Sequence, residues 1–106
     1  MSSSSARWLS VELAELRDDR IVVEARGRQI VLFRAGNEIV ALDNRCPHEG
    51  NPLVEGDVLG TTLVCAFHGW RFDLETGACL LGEEPVRRYP VELRGDRILV
   101  DLGPSV

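Results

Sequence analysis

The sequence predicts an all-β domain built from antiparallel hairpins. Short apolar runs rich in Val and Ile recur along the chain, such as Ile21-Val22-Val23, Ile30-Val31-Leu32-Phe33 and Ile39-Val40-Ala41-Leu42. Between them fall turn signals, Gly27, then Gly36-Asn37, at the spacing of hairpins rather than helices. A stretch of helix formers, Glu12-Leu13-Ala14-Glu15-Leu16, is too short to make more than one turn. With 106 residues, 44% of them hydrophobic, the chain is expected to be a single domain over 1–106. That size buries about two-thirds of the unfolded surface.

The elements follow in order. Ser2 to Ser5 reads as a polar tail, and Arg7-Trp8-Leu9-Ser10-Val11 as a first strand with Trp8 in the core. The three β-branched runs then form a meander closed by Asp43-Asn44-Arg45. Gly50, Asn51 and Pro52 turn the chain, Leu53 to Gly60 reads as a small hairpin, and Thr61-Thr62-Leu63-Val64 as a strand running into Cys65. Gly69 permits a close backbone approach, after which Trp70 and Phe72 alternate inward. Glu75-Thr76-Gly77 is a turn leading to Ala78-Cys79-Leu80-Leu81, and Gly82-Glu83-Glu84-Pro85 an irregular loop. Tyr89-Pro90-Val91-Glu92-Leu93, the turn Arg94-Gly95-Asp96, and Arg97 to Asp101 make a last hairpin.

Two clusters interrupt this pattern, Cys46-Pro47-His48 and Cys65-Ala66-Phe67-His68. Each offers one thiolate and one imidazole, a donor set that suits tetrahedral zinc or an iron–sulfur centre. Zinc fingers bring like ligands together, two Cys and then two His. Here each cluster is mixed, as a 2Fe-2S centre with one iron on two Cys and the other on two His requires, because each loop must then reach both irons.

Extended to Gly69-Trp70, these clusters resemble the paired motif of the Rieske family, most similar to the small ferredoxins that feed bacterial aromatic-ring dioxygenases. The resemblance implies a Rieske-type antiparallel β-sandwich with a small cluster-binding subdomain of two ligand loops, about 44–85. It implies a 2Fe-2S cluster on Cys46, His48, Cys65 and His68, with Gly82 to Pro85 as the best match to a third, proline-containing loop over the cluster. It also implies a one-electron carrier that receives electrons from a flavin-dependent reductase and passes them to a terminal oxygenase, docking at the His48 and His68 tip. The small Rieske subunit of an assimilatory nitrite reductase and a metal-stapled structural or regulatory module are the competing readings.

Family members of high potential carry Ser and Tyr where this chain has Trp70 and Phe72, and a disulfide where it has Asn51 and Ala66. Lacking both, the sequence is expected in the low-potential branch, at about −150 to 0 mV. The chain contains two His, both used by the motif, so it holds no second iron site for oxygen and is expected not to be an enzyme. The formal charge of −5 argues against nucleic acid and for a basic partner surface. No apolar run approaches the roughly 20 residues of a membrane helix, and a cytoplasmic monomer is expected. Cys79 reads as a small core residue, and Glu83-Glu84 as a solvated charge run.

Overall fold

The computed structural model describes residues 7–36, 38–46, 52–66, 69–81 and 86–103. Expectations for Ser2 to Ser5, Asn37, Pro47-His48, Gly50-Asn51, Phe67-His68 and Gly82 to Pro85 lie outside these. The described residues form three sheets, every pairing in them antiparallel as the all-β reading expects. The first contains β1 (Trp8–Glu12), β11 (Arg97–Asp101) and β10 (Val91–Arg94), in that order. The second is β2 (Arg20–Ala25), β3 (Arg28–Ala35), β4 (Glu38–Asp43) and β9 (Arg88–Tyr89). The third is β5 (Asp57–Leu59), β6 (Thr62–Val64), β7 (Arg71–Asp73) and β8 (Cys79–Leu81).

The second sheet sits between the other two, which explains why β3 and β4 are continuous apolar runs rather than alternating ones. Side chains alternate across a strand, so Val31, Phe33, Ala35, Val40 and Leu42 enter one core, which the third sheet shares through Leu63 and Phe72. Ile30, Leu32, Ile39 and Ala41 enter the opposite core with Val11, Ile98 and Val100 of the first sheet. The register Val31↔Leu42 and Phe33↔Val40 keeps the two sets apart. A slip of one residue would exchange them.

Three sequence expectations need correction. Trp8 is 43% exposed rather than core. Val11 pairs with Ile98 and faces inward, so period-two alternation puts Trp8, with Ser10 and Glu12, on the solvent face. Leu53 to Gly60 is not itself a hairpin: Leu53–Glu55 is a single 3-10 turn, and the hairpin joins β5 to β6. Gly56 lies between them, where a Cβ would stand 2.5 Å from the Val64 carbonyl oxygen. Tyr89 to Leu93 is not one strand either. Tyr89 pairs with Ala41 of the second sheet, whereas Val91 pairs with Val100 of the first. Pro90 has no N–H to extend a ladder. The chain changes sheets there, and the Pro90 carbonyl accepts from the Asp101 N–H at 2.9 Å. Among the described residues no helix is long and apolar enough to cross a membrane.

Candidate metal centre

Cys46 and Cys65 enter the same core from different sheets. Cys46 follows the end of β4 and Cys65 the end of β6, and their exposures are 0% and 1%. Both belong to the core that contains Phe33, Leu42, Leu53, Leu63, Phe72, Leu74 and Val86. Two ionised thiolates in such apolar surroundings are costly unless a cation takes up their charge. The donor set therefore fits an iron–sulfur group, in which ferric charge and thiolate charge cancel. His48 and His68 lie outside the described residues, and among those described no three metal-ligating side chains come together.

Three segments that enter this core are closed by hydrogen bonds at their bases. For the first, the Asn44 Oδ1 accepts the Val54 N–H at 2.8 Å. Its Nδ2 donates to Gln29 Oε1 at 3.2 Å, and its backbone N–H to the Gln29 carbonyl at 2.9 Å. For the second, the Cys65 N–H donates to the Trp70 carbonyl at 2.7 Å, and the Gly69 N–H to the Cys65 carbonyl at 3.1 Å. Gly69 has φ +72°, a left-handed conformation that a side chain would oppose. For the third, the Val86 N–H donates to the Gly77 carbonyl at 3.0 Å. The loop expected to cover the cluster, Gly82 to Pro85, lies within this last excursion.

Phe72 is completely buried, and its ring lies 6.3 Å from that of Trp70 at a 45° tilt. Trp70 is half-buried against the same core. Neither side chain carries a hydroxyl. Ala66 is exposed, and Cys79 is half-buried against this core, as a packing residue would be.

A polar network stands at the end of β4, beside the start of the first loop. The Tyr89 hydroxyl donates to Asp43 Oδ1 at 2.6 Å, and Arg28 pairs with Asp43 Oδ2 at 3.3 Å. Burial, reinforced by the neighbouring Asp43 carboxylate, pushes the Tyr89 phenol up to about 12. The Arg87 guanidinium lies 4.9 Å from the centre of the Tyr89 ring. On the other side, Arg20 Nη1 donates to the carbonyls of Val54 at 2.6 Å and Gly56 at 2.8 Å. Sequence reasoning gave no role to Arg20 or to the Tyr89 hydroxyl and placed Asn44 only as part of the close of the third strand. Their partners are 10 to 46 positions away, so no local spacing could have found them.

A family model described as Rieske [2Fe-2S] domain matches residues 8–92. The ferredoxin component of a naphthalene 1,2-dioxygenase system from Pseudomonas aeruginosa is 32% identical, over 92% of this chain and 97% of that protein. The solved ferredoxin of carbazole 1,9a-dioxygenase from Nocardioides aromaticivorans IC177 superposes with a TM-score of 0.77. It is 30% identical, over 86% of this chain and 92% of that one. NdmA of Pseudomonas putida CBB5 superposes with a TM-score of 0.77 at 28% identity, over 91% of this chain. This chain spans only 34% of NdmA.

Proposed function

The chain belongs to the Rieske [2Fe-2S] domain family, and on that premise we propose that Cys46, His48, Cys65 and His68 hold its 2Fe-2S cluster. Two Cys would serve one iron and two His the other. The protein is an electron-transfer component and not itself a catalyst: like the ferredoxin components it resembles, it delivers electrons to a terminal oxygenase. The observation that carries the ligand assignment is the burial of Cys46 and Cys65 in one apolar core, each at the foot of a hydrogen-bonded loop. When bound, the cluster supplies one-electron redox chemistry in a range of about −150 to +300 mV.

The chain's own residues then set the polarity around that site. Apolar Phe72, Leu53, Leu63 and Leu74 line it, and Trp70 and Phe72 offer no hydroxyl to sulfur. Fewer hydrogen bonds to sulfur leave the reduced form less stabilised, and the midpoint falls at about −150 to 0 mV. The donor is a flavin-dependent reductase, the protein works as a cytoplasmic monomer, and residues 1–106 form one Rieske domain with its cluster-binding part over about 44–85. Partners dock at the end where His48 and His68 follow the two cysteines. The 32% identity to a ferredoxin component, over 92% of this chain and 97% of that protein, supports this carrier reading.

The test is chemical analysis with spectroscopy of anaerobically purified protein. Two irons and two acid-labile sulfides per chain, with a rhombic paramagnetic signal on reduction, are expected. His48→Ala and His68→Ala should each abolish that signal. Zinc without sulfide would overturn the assignment.

A further inference from the structure

We propose that Asn44 and Arg20 form a side-chain latch that holds the returning arm of the first ligand loop and thereby positions Cys46. The proposal rests on the ligand assignment above.

The arm at 52–56 belongs to none of the three sheets. Among the described residues its backbone-to-backbone bonds are local: the Glu55 N–H reaches the Pro52 carbonyl and the Gly56 N–H the Leu53 carbonyl. Its ties to the second sheet run through side chains instead. Val54 is gripped at both of its backbone groups, since its N–H donates to Asn44 Oδ1 at 2.8 Å and its carbonyl accepts from Arg20 Nη1 at 2.6 Å. The same Nη1 also holds the Gly56 carbonyl at 2.8 Å.

Both latch residues are themselves braced. Asn44, the buried polar residue among those described at 7% exposure, is bonded through side chain and backbone to Gln29 on β3. The Arg20 guanidinium lies 5.0 Å from the centre of the Phe33 ring, and Phe33 packs in the same core as Cys46 and Cys65. Asn44 and Val54 bracket the segment that contains Cys46 and His48. Their hydrogen bond therefore fixes where that loop starts and ends. A loop pinned at its base keeps Cys46 in place when the cluster is absent, so less ordering remains to be done on binding.

The experiment compares loaded wild type with Asn44→Ala, Asn44→Asp, Arg20→Met and a control, Ile98→Val, which trims the opposite core. The readouts are the rate of iron loss to a chelator, the paramagnetic line widths after reduction, and hydrogen exchange of the Val54 amide in protein stripped of cluster. Leaving a buried N–H unpaired should raise Val54 exchange and iron loss by about tenfold in Asn44→Ala. Arg20→Met should also speed iron loss. Asn44→Asp keeps the acceptor for Val54, Gln29 can turn its amide to donate, and most of the effect should be rescued. The control should lower the melting temperature without speeding iron loss. Val54 exchange and iron loss within twofold of wild type in Asn44→Ala would overturn the latch, as would equal iron loss in Ile98→Val. Wild type lacking iron and sulfide would instead overturn the ligand assignment, and Val54 exchange would still decide whether Asn44 pins the arm.

Discussion

Replacing Phe72 by Tyr places one hydroxyl inside a fully buried site shared with Cys46 and Cys65. Buried hydroxyls need a partner, and the apolar lining offers few, so cluster sulfur is the expected acceptor. A net hydrogen bond is worth about 0.5–1.5 kcal/mol. If it acts wholly on the reduced, more negative state, that corresponds to a rise of roughly 20–60 mV, at 59 mV per tenfold for one electron. Redox titration followed by visible and paramagnetic spectra gives the midpoint directly, and thermal unfolding of the stripped protein gives the packing cost of the added atom. An unchanged midpoint with the cluster intact, accompanied by a loss of about 1–3 kcal/mol in stability, would show the hydroxyl buried without reaching sulfur. The link between Phe72 and low potential would then be refuted.

Three further outcomes follow from the same core and the network beside it. Leu53→Ala, at a fully buried position touching the core of Cys46 and Cys65, should cost about 2–5 kcal/mol in calorimetry, and a cost below about 1 kcal/mol would deny its place there. Gly56→Ala should destabilise by about 1–3 kcal/mol. The cause is close approach and not backbone strain, because φ is −78° while the new Cβ would meet the Val64 carbonyl oxygen at 2.5 Å. Denaturant midpoints equal to wild type would contradict that contact. The chain has one tyrosine, so a spectrophotometric titration reports Tyr89 alone and should show its phenol ionising near 12. The folded form holds the protonated phenol, so this stability is fully present below about pH 10 and is lost as pH rises towards 12. An inflection near 10 would break the bond to Asp43.

Much was legible in the chain itself. The mixed Cys/His clusters pointed to the family, and the β-branched runs with their Gly turns placed β2, β3, β4 and the β10–β11 hairpin. Local chemistry sufficed for these, since a turn residue or a ligand pair acts over a few positions. Alternation misled only where the face was not yet known. Trp8 was assigned inward although the pairing of Val11 with Ile98 turns it to solvent, and Pro90 was put inside a strand although it marks the passage between sheets.

The residues at 20, 44 and 89 could not be assigned from sequence, because each acts on a partner brought near by folding. The sequence by itself determined the paired Cys/His motif, the strand periodicity and the missing hydroxyls beside the second loop, which are properties of residue type and near spacing. Only the tertiary structure decided which face of each strand is buried, that Cys46 and Cys65 share one apolar core, and what pins the arm at Val54. Those depend on contacts between sheets, and long-range contacts leave no period in the chain.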